Sequence, residues 1–315
     1  MSQILSVDLI HIGGISQGIA VSGNPAKPAL LILHGGGLPL PGVASKNDYS
    51  VLSENFLVVY WDQRGAGRSA QGGLNVNNMK IDNFLADVQE ISEYIKMEYD
   101  KEKLYLLGHS WGSMLGMRSV LEHPENYYAY VGVSQQLKVT SSDELVYRDL
   151  RTIAMSQNNK SLSRKLEKLG PPPYQLDDWM LLRALVARSN GLVSGEGEIG
   201  LFGMLRKMFG SYLGNRDYGL FEVFRVQRNM NTVLSYIYND MLAYDMTKVS
   251  SLEVPVLLFQ GKHDLNSHPD ISRMWFDGLD SSDKTWISFD DSAHMPMWEE
   301  PEKFQLELVR LLQFD

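Results

Sequence analysis

Ser110 stands between Gly108 and Gly112, after the apolar run Leu104 to Leu107 and before a helical pattern from Ser113 to Leu121. A serine at so sharp a strand-to-helix turn presents its hydroxyl at a sheet edge, and bulk at either flanking glycine would strike the strand or the helix. Such a hydroxyl attacks a carbonyl only with a base beside it, an acid that orients the base, and N–H donors for the oxyanion. Each partner has a candidate. Asp264 follows the strand pattern Pro255 to Phe259, in the loop Gln260-Gly261-Lys262-His263-Asp264. His294 follows the strand pattern Lys284 to Phe289, in Asp291-Ser292-Ala293-His294. In the order Ser110, Asp264, His294, the histidine takes the proton from Ser110 Oγ and later delivers it to the leaving group. Asp264 fixes the histidine tautomer and stabilises the imidazolium.

The oxyanion donors are expected from two places. His34-Gly35-Gly36-Gly37 follows the strand pattern Ala29 to Leu33, and glycines let backbone amides turn toward a ligand. The N–H of Gly36 and that of Trp111 form the expected pair, with Gly37 as the alternative to Gly36. Losing one such donor costs about 3–4 kcal/mol of transition-state stabilisation. Taken singly, each piece has a plainer reading. The serine is a turn residue, the aspartate a helix cap, the histidine a satisfied core group. The glycine-rich loop has neither a Walker lysine nor a G-x-G-x-x-G spacing, so phosphate binding is not its chemistry. Chain order and placement at strand ends together select the catalytic reading.

The elements that must hold these residues alternate. Ile10 to Ile12 and Gly18 to Val21 read as a hairpin. Ala29 to Leu33, Phe56 to Tyr60, Leu104 to Leu107 and Tyr130 to Val133 read as buried strands, and Ile81 to Tyr99 carries helical periodicity. Strands resume at Val254 to Phe259 and Lys284 to Phe289, and a last helix spans Pro301 to Leu312. This predicts an α/β fold with a mostly parallel central sheet covered on both faces. Residues 1–134 and 246–315 form the expected core, and 135–245 an inserted helical cap. Within the cap, Pro171-Pro172-Pro173 is a stiff break and Gly191 to Gly197 a polar loop. Leu201, Phe202, Met204, Leu205, Met208, Phe209, Tyr212 and Leu213 share one helix side, as core packing or as a lid over an apolar pocket.

Composition removes other classes. The 315 residues contain no cysteine, which excludes disulfides, thiolate catalysis and cysteine-based zinc sites. The seven histidines lack the paired spacing of a zinc helix, and no metal or other cofactor is expected. A formal net charge of -9 disfavours nucleic acid as a partner, since phosphate binding needs clustered cations. There is no long apolar run and no signal-peptide pattern at the N-terminus, so no stable membrane insertion and a cytoplasmic location are expected. No feature encodes an oligomeric state.

Three motifs resemble the α/β-hydrolase superfamily, and within it the proline iminopeptidase group of serine aminopeptidases. His34 to Gly37 is similar to the His-Gly-Gly-Pro-Gly oxyanion loop of that group. Asp62-Gln63-Arg64-Gly65-Ala66-Gly67-Arg68-Ser69 resembles its Asp-Gln-Arg-Gly-x-Gly-x-Ser signature, and Gly108 to Ser113 its Gly-x-Ser-Trp-Gly-Ser elbow. The Asp62 to Ser69 turn is expected to be structural, not catalytic. The resemblance implies an α/β-hydrolase fold with a helical cap, and release of N-terminal residues from short peptides or amides through an acyl-enzyme. Two departures stand out: Gly37 replaces the proline of the oxyanion loop, and the cap lacks the Trp-x-x-Trp-Glu segment whose glutamate helps hold the substrate's α-ammonium. The cap has acids at Asp177, Asp178, Glu196, Glu198, Asp217, Glu222, Asp240 and Asp245, of which Glu222 and Asp240 are the candidates for substrate binding, without a sequence feature that selects among the eight. The alternative substrates are small esters or other small acyl compounds, including those cleaved at a carbon–carbon bond. A third alternative is a ligand receptor with slow turnover.

Overall fold

Continuous apolar strands that alternate their side chains between two faces need cover on both, and this chain supplies it. A computed structural model describes residues 4–36, 50–71, 75–196, 200, 202, 203, 206 and 220–312. Strand β1 (Ile4–Ile12) turns through Gly13 and Gly14, both at positive φ, into β2 (Ile15–Ser22). Then come β3 (Ala29–Leu33), α1 (Ser50–Asn55), β4 (Leu57–Asp62), α2 (Ile81–Glu98), β5 (Leu104–His109), α3 (Trp111–Glu122) and β6 (Tyr127–Val133). Among the described residues, the helices α4 (Val139–Ser156), α5 (Lys160–Leu169), α6 (Leu176–Arg188) and α7 (Leu220–Ala243) come before the next strand. The chain closes with β7 (Ser251–Leu252), β8 (Val256–Gly261), α8 (Pro269–Gly278), β9 (Asp280–Ser281), β10 (Lys284–Phe289), α9 (Pro296–Glu299) and α10 (Pro301–Leu312).

Eight strands form one sheet in the order β1-β2-β4-β3-β5-β6-β8-β10, and β7 pairs with β9 apart from it. The β1–β2 and β2–β4 pairs are antiparallel, and every other pair in the large sheet is parallel. Alternation decides which face each residue serves. Leu31 and Leu33 of β3, Val59 and Trp61 of β4, and Leu104 and Leu106 of β5 join Phe84, Val88 and Ile91 of α2 in one apolar layer. Their neighbours Leu30, Val58, Tyr105 and Leu107 face the other way, against Phe56 and against Phe304 and Leu308 of α10. A third cluster, including Val146, Leu150, Leu162, Leu166, Leu182 and Leu185, holds α4, α5 and α6 to one another.

This is the α/β-hydrolase fold expected from the sequence, with several strands and the last helix at the predicted residues. The short α1 and the β7–β9 pair carry too few apolar positions to show a period. Gly37 and most of the apolar stripe from Leu201 to Leu213 lie outside the described residues, as does the side chain of Glu222. Among the described residues no helix is long and apolar enough to cross a membrane.

Candidate active site

Because β3, β4, β5, β8 and β10 run parallel, their carboxyl ends share one edge of the sheet, and the loops leaving that edge carry the residues singled out above. Ser110 follows β5 directly. Its backbone sits at φ 53 and ψ -117, a region a non-glycine residue occupies at a cost of roughly 1–3 kcal/mol. Close approach explains both flanking glycines. A Cβ on Gly108 would collide with the backbone of Gly112, and one on Gly112 with the backbone of Leu33. The turn therefore holds β5, α3 and β3 together at the serine.

Asp264 lies beyond β8 and is fully buried. Its Oδ2 is 2.9 Å from His294 Nδ1 and accepts from Gln260 Nε2 at 3.1 Å. Its Oδ1 accepts the backbone amides of Asn266 at 2.7 Å and Ser267 at 2.9 Å. Burial works to raise the Asp264 pKa, but His294 and the two amides outweigh it and hold the carboxyl below its ordinary value. His294 is buried as well, and its Nε2 lies 2.9 Å from Asn266 Nδ2. Ser110 Oγ has no hydrogen-bond partner among the described residues. The His109 ring lies between the two loops, its centroid 5.0 Å from that of His294 and its Nε2 3.0 Å from the His294 carbonyl oxygen. Burial pushes the His109 pKa down to about 3, with the nearby His294 acting in the same direction.

The loop after β3 lies against the elbow. A Cβ on Gly35 would sit 3.2 Å from Ser110 Cβ, and one on Gly36 3.3 Å from Trp111 Cβ. Trp111 is the first residue of α3, where helical geometry leaves N–H groups without an intrahelical acceptor. His34 is held as a neutral ring. Its Nε2 accepts the Gln63 backbone N–H at 3.3 Å, so its Nδ1–H donates to the Gly35 carbonyl at 2.7 Å. Burial lowers the His34 pKa to about 4.

Gln63 is a residue that sequence reasoning passed over. Its Nε2 donates to the His34 carbonyl at 2.9 Å and its Oε1 accepts the Trp111 indole N–H at 2.9 Å, so one side chain ties the β3 loop to α3. The rest of its turn is structural, as expected. Arg64 pairs with buried Asp87, Arg68 N donates to Asp62 Oδ2 at 2.9 Å, and Ser69 Oγ donates to the Asp62 carbonyl. Glu299 was also missed. Fully buried at the end of α9, it accepts the amides of Ser194 at 2.6 Å, Ala293 at 2.9 Å and Met295 at 3.4 Å, and the Ser194 hydroxyl at 2.9 Å. Burial raises its pKa and these donors partly offset that. The polar loop after α6 thereby runs down to the histidine loop: Leu192 O accepts His294 N at 3.2 Å and Gly191 O accepts Leu265 N at 3.0 Å.

Of the candidate substrate acids, Asp240 on α7 accepts the Ile81 backbone amide at 3.0 Å, in the first turn of α2. That contact satisfies an amide that the helix start leaves without an intrahelical acceptor. The helical stretch brings another acid toward the site. Asp143 on α4 pairs with Arg183 on α6, and Arg183 Nη1 donates to the Asn266 carbonyl at 3.0 Å and to Asn266 Oδ1 at 3.1 Å. Burial raises the Asp143 pKa to about 6 against the opposing charge of Arg183. Among the described residues no group of three histidine or acidic side chains is placed to hold a metal ion.

A family model described as serine aminopeptidase, S33, matches residues 24–180. The probable aminopeptidase YbaC of Bacillus subtilis is 31% identical over 305 residues, covering 96% of this chain and 94% of that protein. The chain belongs to the α/β-hydrolase family. A crystal structure of a proline iminopeptidase-related protein from Thermus thermophilus superposes with a TM-score of 0.70 at 17% identity, covering 98% of this chain and 97% of that one. The 2-hydroxy-6-oxo-6-phenylhexa-2,4-dienoate hydrolase of a Rhodococcus strain shares the fold at a TM-score of 0.64 and 19% identity, covering 98% of this chain and 100% of that one. Within its family this hydrolase resembles the proline iminopeptidases and is an enzyme.

Proposed function

We propose that this hydrolase forms an acyl-enzyme on Ser110 and releases N-terminal residues from short peptides or amides, in the manner of proline iminopeptidases. The observation that carries the reading is the Asp264–His294 pair, 2.9 Å apart and buried, on loops at the same sheet edge as a serine held at positive φ. His294 takes the Ser110 proton as the hydroxyl attacks the scissile carbonyl, then delivers it to the departing amine. Asp264, kept ionised by its amide donors, stabilises the imidazolium formed between those steps. The N–H groups of Gly36 and Trp111 receive the oxyanion, Trp111 adding the positive end of α3. Water then repeats the sequence in reverse to free the acid. The chain's own residues complete this cycle without a cofactor.

Residues 135–245 serve in this reading as a cap that shapes the substrate pocket, against a core of 1–134 and 246–315. Recognition of a free α-ammonium needs a carboxylate facing that pocket. A second reading, a small-molecule acyl hydrolase, draws on the Rhodococcus enzyme of the same fold and on Arg183, which sets a cation against Asn266 in the Asp264 loop.

One panel separates these readings. Aminoacyl and prolyl anilides are compared with short-chain esters and with the same anilides acetylated at the amine. The aminopeptidase cleaves the free anilides and loses at least a hundredfold in kcat/KM on acetylation. Equal rates with and without the free amine would overturn it in favour of the acyl hydrolase.

A further inference from the structure

Asn266 touches both proposed partners of the serine. Its backbone N–H donates to Asp264 Oδ1 at 2.7 Å, and its side-chain Nδ2 lies 2.9 Å from His294 Nε2. Arg183 settles which end of the amide faces the histidine. A guanidinium has donors and no acceptor, so the atom 3.1 Å from Arg183 Nη1 is the amide oxygen and the one at His294 is the amino group. An amino group offers hydrogen, so Nε2 presents its lone pair to it. The ring proton then sits on Nδ1, where it is donated to Asp264. Two contacts made by other residues thus define one neutral tautomer of His294.

We propose that Asn266 is a positioning residue for His294: it holds Nε2 unprotonated and aimed into the site until the Ser110 hydroxyl takes its place. This rests on the reading of His294 as the base. A proton arriving on Nε2 would set N–H against N–H, a repulsion that the neutral ring avoids. Ser110 Oγ, without a partner among the described residues, is the donor that exchanges with the amide during attack. The placeholder is anchored from the helical stretch, since Arg183 grips both oxygens of Asn266 and is gripped in turn by Asp143.

The other groups around the ring stay in place when Asn266 alone is changed. They are Asp264 on Nδ1, the neutral His109 ring, Glu299 beneath the flanking amides, and the Asp143–Arg183 pair behind the asparagine. The test is the rate at which a fluorophosphonate labels Ser110, measured from pH 5 to pH 9 in wild type, Asn266→Ala and Asn266→Asp. Asn266→Ala moves the acidic limb of the profile up by about half a pH unit, the worth of one neutral hydrogen bond. Asn266→Asp moves it up by about 1–3 units, because a carboxylate at Nε2 favours the imidazolium. A side chain that only packs would alter the melting temperature and leave both limbs on the wild-type curve, and that result overturns the proposal.

Wild-type protein that takes no label at Ser110 would instead remove the underlying reading of the nucleophile, so the two failures are distinct. A measurement free of variants uses the ¹⁵N spectrum of the histidine side chains at the plateau pH. The expected His294 signals are a protonated Nδ1 and an unprotonated, hydrogen-bonded Nε2. A proton found on Nε2 overturns the proposal.

Discussion

The indole N–H of Trp111 donates to Gln63 Oε1 across 2.9 Å, and the same Gln63 side chain donates to the His34 carbonyl at 2.9 Å. The two backbone segments proposed to hold the oxyanion are thus joined by one amide. Both ends of that amide are used, so no isosteric replacement preserves both bonds.

Gln63→Leu therefore lowers kcat by about 10- to 100-fold, the 1–3 kcal/mol expected when a positioned donor pair loses a buried hydrogen-bonded tether. KM changes little, because oxyanion donors act on charge that develops only in the transition state. Steady-state kinetics on the best anilide of the panel checks the split, with the melting temperature as a control for folding. A pure KM effect would show that Gln63 does not hold the oxyanion loop.

Ser110 at φ 53 makes a second comparison. Ser110→Ala and Ser110→Gly both abolish turnover and phosphonate labelling, but they differ in stability. Glycine occupies this backbone region freely, whereas alanine keeps the strained Cβ. The strain relieved, about 1–3 kcal/mol, exceeds the roughly 0.5–1 kcal/mol that glycine costs through the unfolded chain. Urea unfolding accordingly ranks the glycine variant above the alanine variant. The reverse order would mean that the elbow stores no strain.

The pH dependence of stability follows from the buried imidazoles. His109 and His34 have pKa values lowered by burial to about 3 and about 4, while the unfolded chain protonates near 6.5. The unfolded state therefore binds more protons below pH 6.5, and the contribution of each neutral histidine, complete above that pH, is lost as the pH falls toward the folded value. Asp143 acts oppositely between its unfolded value and about 6, so a variant difference is the clean measurement. His109→Gln removes one histidine term. The stability of wild type relative to this variant should decline by about 1.4 kcal/mol per pH unit from pH 6 to pH 4. A constant difference across that range would show that His109 titrates freely in the folded protein.

Much of this architecture was legible before any coordinates. Strand β3 at Ala29–Leu33, β10 at Lys284–Phe289 and helix α10 from Pro301 to Leu312 coincide with their sequence patterns, because each is a periodic or continuous apolar run bounded by breakers. Asp264 and His294 stood out because each is a chemically competent side chain just past such a strand. The supporting residues did not stand out, for a physical reason. Gln63 meets Trp111 across 48 positions of chain, Arg183 meets Asn266 across 83, and Ser194 meets Glu299 across 105. No local period encodes contacts at such separations. The signal that was available lay in the Asp264-Leu265-Asn266 spacing, where an aspartate commonly captures the amide two residues on. Asp240 likewise meets Ile81 across 159 positions of chain.

The short strip from Gly191 to Ser194 gives the helical stretch an unusual attachment. It is a seam partway along the helical stretch, sewn to the loops of Asp264 and His294 by Gly191, Leu192 and Ser194. The stretch before the seam and the stretch after it also meet directly, the Tyr238 hydroxyl donating to the Tyr174 carbonyl at 3.0 Å and the Tyr238 ring centroid lying 5.7 Å from that of Trp179. Replacing these helices with foreign ones therefore calls for exchanging 139–188 and 220–243 as a matched pair, with the seam left in the host's own sequence.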